Sequence, residues 1–400
     1  MRLVLLLLSL CCLASCITEL LKEETPLDRS FFPTGLSQSP DGQYLFVPSS
    51  NFSLRFNHGA MLSIDLAKVD SDLAQGQTEL DASIIKSAIK MPSFSTQPLM
   101  LNGDSLLVCL RAQSKLISIP FMNGDLFSRA QEIALAFPPY YLESYLKKDG
   151  GTVVFAAGLD SDSISIIDAP SLNIRESVSL GSLVVEESAT GKKKNSGKLR
   201  IRGIKISSQP APLPPLLFVG CEFFPADSLH AINARSSRLV WMPIKEDGSL
   251  DLSQMKQVEF LKKPMGREIH GFDFWTADQE VFVLLHRPDS LVRFNFKDEV
   301  LMGVNATCEY PIDIKVSDKL VYVACFAEAV TAYDRFSLAE QHLNRHFGRG
   351  PIKLLFDNRP NIDRLYVSYF GDSSIGIFTP QLEPIGRLFK ALPENMDGVI

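Results

Sequence analysis

Arginine, histidine and carboxylate residues recur at two kinds of position along this chain of 400 residues. One lies just after a short apolar run, the other just before the strand that leads into such a run. After the runs come Asn51, Phe52, Arg55, Phe56 and Asn57, then Arg111, Gln113, Asp160, Asp162 and Glu222, and finally His286, Arg287, Asp289, Glu328 and Asp372. Before the leading strands come Arg202, the trio Arg267, Glu268 and His270, and Arg349. Gathered on one rim, this mixture suits a polar or anionic ligand. Guanidinium forks take carboxylates and phosphates in bidentate fashion, and imidazoles exchange protons near neutral pH. The same residue types also line any solvated set of loops, so both readings stand on sequence alone.

Stronger chemical signatures are absent. There is no Gly-x-Ser-x-Gly, His-Glu-x-x-His or P-loop. His342 and His346 have i, i+4 spacing, but they fall in a strand region, where that spacing brings nothing together. Beyond the first sixteen residues the cysteines are Cys109, Cys221, Cys308 and Cys325, none in CxxC or CxxCH spacing. Neither a metal nor a cofactor is expected. Four cysteines allow three pairings, and Cys109, Cys221 and Cys325, in or beside apolar strands, read as buried free thiols. The net charge of −6 argues against nucleic acid as partner, because that binding needs clustered Lys and Arg.

The elements that must position these residues are seven similar runs. They are Leu45-Phe46-Val47, Leu106-Leu107-Val108, Val153-Val154-Phe155, Leu217-Phe218-Val219, Val281-Phe282-Val283, Val321-Tyr322-Val323 and Leu365-Tyr366-Val367. Their starts are 61, 47, 64, 64, 40 and 44 residues apart. Most follow a turn such as Ser39-Pro40-Asp41-Gly42 or Asn102-Gly103-Asp104, while in the fourth repeat Pro210 to Pro215 forms a stiff loop instead. After each run comes a polar gap, then an alternating strand such as Ser163-Ile164-Ser165-Ile166-Ile167-Asp168, then usually a fourth strand. Four short strands per unit cannot bury both faces alone, whereas a ring of such units can. The expectation is an all-β, seven-bladed β-propeller of four-stranded antiparallel blades over residues 31–392.

These repeats resemble the YVTN-type propeller repeats of bacterial surface and periplasmic proteins. Pro33-Thr34-Gly35, Ser39-Pro40-Asp41-Gly42 and Phe46-Val47 carry the likeness in the first repeat, Tyr322-Val323 and Tyr366-Val367 in the last two. The last repeat supplies four strands of its own, so closure by packing of blade faces alone is expected. In propellers the loops named at the outset share one rim of the central channel, where ligand sites commonly lie. The resemblance is specific for fold and nearly silent on activity; with no catalytic pattern in the residues, the expectation is a non-enzymatic scaffold binding a protein, peptide or glycan. Lactonase propellers share the repeat grammar, and for that activity His270, His286, Arg349 and Glu222 are the nearest candidates. Propellers that bind haem d1 or pyrroloquinoline quinone are a further alternative, without a recognisable ligand arrangement here.

Two insertions break the rhythm. Residues 49–59 separate the second and third strands of the first repeat and carry Phe52, Arg55 and Phe56, either as a plug over the channel or as a binding loop. Residues 186–198 include Lys192, Lys193 and Lys194 and read as a solvated loop or a basic finger.

The N-terminus reads as a targeting segment. Arg2 precedes the apolar stretch Leu3 to Leu10, and Leu13-Ala14-Ser15-Cys16 follows. This resembles the lipobox of bacterial lipoproteins, which implies cleavage after residue 15 and lipidation of Cys16. Ile17 rather than Asp after the cysteine implies outer-membrane retention. Residues 16–30 then form a tether and 393–400 a tail. The expected product is a monomer held at the cell envelope through its lipid. Metabolic labelling with a fatty-acid analogue should mark the wild type and not Cys16→Ser; label retained by the variant overturns the assignment.

Overall fold

The first turn is built from its own side chains. Asp41 Oδ1 accepts from Ser39 Oγ at 2.5 Å and from the Gln43 amide at 3.0 Å, and Ser39 Oγ accepts from the Tyr44 amide at 2.9 Å. Gly42 sits at φ +71°, and a Cβ there would lie 2.2 Å from Arg359 Cγ, so two independent constraints demand glycine. The turn launches Tyr44–Ser49, whose Leu45, Phe46 and Val47 are fully buried.

The structure is a computed structural model. It describes residues 23–128, 130–169, 171–181, 186–187, 193–194, 197–207, 213–225, 236–260, 268–327, 329–345 and 347–389. Seven sheets follow one another, each with a core of four antiparallel strands paired in chain order. The second strands are Tyr44–Ser49, Ser105–Leu110, Thr152–Gly158, Leu216–Pro225, Glu280–His286, Leu320–Cys325 and Leu365–Tyr369, one for each apolar run. Seven hydrophobic clusters hold the sheets together, each shared by two neighbouring sheets, and the cluster of Leu45, Val47, Tyr366 and Ile377 joins the last to the first. The molecule is a seven-bladed β-propeller.

Closure does not rest on face packing alone, contrary to expectation. After the third strand of blade one, Gly59–Asp65, the chain forms the helix Leu66–Ala74, capped by Asp65 accepting from the Ala67 and Lys68 amides. It then lays Glu79–Leu80 parallel to Pro384–Leu388, the outer strand of blade seven. A polar network reinforces the seam. Asp357 accepts from Arg359, from Tyr366 Oη at 2.8 Å and from Gln38 Nε2 at 2.9 Å, and Arg359 also reaches Asp70 on the helix at 2.6 Å. Burial pushes the Asp357 carboxyl upward, but these hydrogen bonds outweigh it and hold the group below its ordinary range. A two-residue strand inside an insertion has no periodicity, which is why the sequence did not reveal it.

Other differences are local. Cys308 and Cys325 form a disulfide with Cα atoms 5.9 Å apart, so Cys325 is not a free thiol; Cys109 and Cys221 are free and buried. The segment expected as a tether lies, from Glu23 onward, against the loop of residues 51–58, with the Glu23 amide donating to Arg55 O at 3.1 Å and the Asn57 amide to Glu23 O at 3.0 Å. In the fourth-blade insertion Glu186–Glu187 pairs with Lys193–Lys194 as a short ladder, rather than leaving the whole segment a loop. Cys16, residues 210–212 of the proline-rich loop, His346 and the tail lie outside the described residues.

Leu80 is buried in the closing cluster. Leu80→Ala should cost about 2–4 kcal/mol in urea unfolding, while Ile174→Ala, on an exposed outer-strand position, should cost less than about 0.5 kcal/mol. Equal costs would mean that the closing strand contributes nothing beyond ordinary blade edges.

Candidate binding site at the channel mouth

A recurring irregularity turns side chains into the channel. In blades three to seven the innermost strand carries a register shift, between Pro139 and Tyr141, Ile201 and Gly203, Ile269 and Gly271, Pro311 and Asp313, and Pro351 and Lys353. The skipped residues are Tyr140, Arg202, His270, Ile312 and Ile352. A bulge leaves one residue unpaired and re-aims it. Tyr140, Arg202, His270 and Ile312 line a channel cavity of about 180 Å³ to which all seven blades contribute. Pro precedes the skipped residue in blades three, six and seven, and Gly follows it in blades four and five.

Arg202 donates to Glu222 at 2.8 Å, and Glu222 is only 1% exposed. His270 Nδ1 lies 2.8 Å from Pro311 O, which can only accept, so Nδ1 carries the proton. His286 Nδ1 is bonded to the Asp289 carboxylate, and its ring stacks on His270 at 5.1 Å. In the neutral tautomer of each ring, Nε2 is the acceptor. Burial pushes the His270 pKa down, with His286 and Arg202 adding to the effect against the Pro311 carbonyl.

Around one side of the mouth runs a chain of ring contacts. Phe94 meets Phe52 at 5.7 Å, Phe52 meets Phe370 at 5.4 Å, Phe370 meets Phe326 at 6.5 Å, and Phe326 meets Tyr310 at 6.1 Å. Tyr310 in turn contacts His286 at 4.8 Å and His270 at 5.3 Å. Phe52 is 55% exposed and Tyr310 42%. Tyr310 is held from several directions: its amide donates to Asp289 at 3.1 Å, its carbonyl accepts from the Phe326 amide at 2.9 Å, and the disulfide closes the segment around it.

The remaining rim residues fall into separate groups. Asn51 is buried and shapes its loop, donating to Phe56 O at 2.8 Å and Ser93 Oγ at 2.9 Å and accepting from the Phe56 amide. Phe56 packs on Phe31 at 4.8 Å, while Arg55 pairs with Glu23 at 2.8 Å and Asn57 is exposed. Arg349 is tied to Asp372 at 2.8 Å. Arg111 lies 5.8 Å over the Tyr140 ring and shares with Asp160 a lateral pocket of about 550 Å³. Arg267 and Glu328 lie outside the described residues. Among the described residues no group of three or more His, Cys, Asp or Glu is placed to hold a metal ion.

Sequence reasoning missed a charged tier lower in the channel. Lys205 pairs with Asp273, Lys353 pairs with Asp313 at 3.3 Å, and Glu143 and Lys315 line the same cavity. The signal was a charge inside an otherwise apolar innermost strand, as in Phe272-Asp273-Phe274 and Ile314-Lys315-Val316. It also missed Phe326 and Phe370, each the residue just after a second strand.

Comparisons with known proteins support the architecture. No protein-family model matches the chain, and no curated protein does. Among solved structures, hydrazine synthase from Kuenenia stuttgartiensis is similar over 90% of this chain and 98% of its own, with a TM-score of 0.59 and 12% identity. A functionally unknown protein from Desulfotomaculum acetoxidans DSM 771 is similar over 85% and 92%, with a TM-score of 0.56 and 12% identity. Likeness at this identity establishes the propeller fold and nothing finer.

Burial pushes the Glu143 carboxyl up to about 7, with Lys205 and Lys315 only partly opposing it. The folded state therefore holds this proton more tightly than the unfolded chain, and the group's contribution to stability falls as pH rises from about 4.5 to about 7. Glu143→Gln should be more stable than wild type at pH 8, on the order of 1 kcal/mol, with the gap closing as pH is lowered. Parallel stability–pH curves for the two proteins would rule this out.

Proposed function

We propose that this chain is a non-enzymatic binding propeller of the YVTN-repeat type, anchored at the cell envelope, that holds an extended peptide segment of a partner protein across its channel mouth. The observation that carries this reading is the arc of rings from Phe94 to His270, supplied by loops of blades one, seven, six and five, with Phe52 and Tyr310 exposed on it. Exposed aromatic anchors on a rigid support are the residues that dominate interface energetics. The rings meet at steep angles, 75° and 78° on either side of Phe52 and 71° between Tyr310 and His286. Edge-to-face rings leave crevices for side chains rather than the flat platform a sugar ring needs, which favours a peptide over a glycan. Arg287 and Arg349, each ion-paired yet about half exposed at the mouth, present guanidinium donors to a peptide main chain.

The envelope location is supported by the Leu13-Ala14-Ser15-Cys16 segment and by the Cys308–Cys325 disulfide, which suits an oxidising compartment. A hydrolytic reading has the His286–Asp289 pair beside His270 in its favour, but Glu222 is taken up by Arg202 and Arg349 by Asp372.

Synthetic peptide libraries, tethered in one set by the N-terminus and in another by the C-terminus, test the reading. Selected peptides should bind Phe52→Ala and Tyr310→Ala at least tenfold more weakly, while both variants melt close to wild type because the rings are exposed. Failure of every peptide to bind, or unchanged affinity in both variants, overturns it, and turnover of lactones abolished by His286→Ala would favour the hydrolase.

A further inference from the structure

Among the described residues, the charged tier beneath the mouth holds three lysines and three acids but only two bonded pairs. Lys205 is paired with Asp273, whose second oxygen accepts from the Val316 amide at 3.0 Å. Lys353 is paired with Asp313, whose second oxygen accepts from the Leu354 amide at 2.9 Å. Both carboxylates are thereby fixed on their own lysines. Lys315, on the same wall, has no hydrogen bond or ion pair among the described residues, yet it lines the cavity. The remaining acid, Glu143, is half-buried and likewise has no hydrogen bond there. A partly buried ammonium without a bonded counter-charge is costly, and an anion bound beside it removes that cost.

We propose that this cavity is a carboxylate-binding site with Lys315 as its central cation, entered through the mouth past Arg202 and His270. Among the described residues Lys315 is the one ammonium of the tier without a bonded partner, and a single carboxylate can take that place. A phosphate dianion would instead confront Asp273, Asp313 and Glu143 with only Lys315 uncommitted. The size agrees, since about 180 Å³ equals roughly six waters at about 30 Å³ each, room for a carboxylate and a short carbon stub. The carboxylate comes either from the C-terminus of a peptide lying on the aromatic arc or from a free small organic acid. The first source rests on the peptide reading above, and the second is independent of it.

Titration with propionate and with inorganic phosphate, followed by thermal shift and by the ¹⁵N resonances of the lysine ammonium groups, tests the site. Propionate should raise the melting temperature saturably and perturb Lys315, and phosphate should bind at least tenfold more weakly. Lys315→Met should lose the propionate response while melting no lower than wild type, because it removes an unpaired charge. Lys353→Met, which strands Asp313, controls for general loss of positive charge and should keep a measurable response. Selected peptides with free and amidated C-termini then separate the sources: a tenfold loss on amidation assigns the carboxylate to the peptide, and no loss assigns it to a free acid. Absence of any peptide binding beside a saturable propionate response would refute the peptide reading and leave the channel site standing. A propionate response that does not saturate, or that survives in Lys315→Met, overturns the proposal.

Discussion

The seam between blades seven and one carries the rest of the structure. Every other seam joins neighbours in the chain, but this one brings Gln38 against Asp357 and Leu80 against Leu388. An open array would leave two apolar blade faces in water and no channel at all. Closing so long a loop costs entropy that grows only slowly with length, so a modest set of specific contacts can hold it. That set is varied: a shared apolar cluster, a short parallel ladder and the Asp357–Arg359–Asp70 network. Arg359 belongs to two of these contacts in effect, since its stem also packs where only Gly42 fits.

A ring of seven sheets converges on its axis, and there the innermost strands crowd. Gly35 shows how closely: a Cβ on it would lie 2.4 Å from the backbone of Gln97 in the next blade. The bulges in five innermost strands leave one residue of each out of the ladder, and Tyr140, Arg202, His270 and Ile312 among them line the channel. Polar chemistry can therefore occupy the axis while the seams between blades stay apolar. The same division explains why Lys205 and Asp273, and Lys353 and Asp313, pair between neighbouring innermost strands at the channel wall instead of disrupting a core.

Much of the fold was legible because second strands are buried on both faces and read as uninterrupted apolar runs, as in Val281-Phe282-Val283. The rim was legible in part: His286 and Phe52, which follow such runs, stand in the chain of ring contacts, whereas Arg111 and Asp160, which also follow runs, share a lateral pocket. Which rim residues share a cluster was not legible. Blade number and loop path decide that, so Arg349 met Asp372 and Asn51 turned inward to hold its own loop. Apolar rings such as Phe326 and Phe370 were overlooked because attention went to charged types. The Cys308–Cys325 link was hidden by the apolar strand that ends in Cys325, which reads as the setting of a buried free thiol.

The closing strand also sets an order of events. Because Glu79–Leu80 lies within the first blade, the ribosome makes the clasp with that blade and its counterpart, Pro384–Leu388, only with the seventh. At about 5–20 residues per second the interval is roughly 15–60 s. Throughout it the helix Leu66–Ala74 and the face around Leu45 and Val47 have no partner to cover them. A chaperone that shields this first blade would therefore matter more to yield than one acting on any later repeat, and a chain cut short before residue 384 would keep its clasp permanently unfastened.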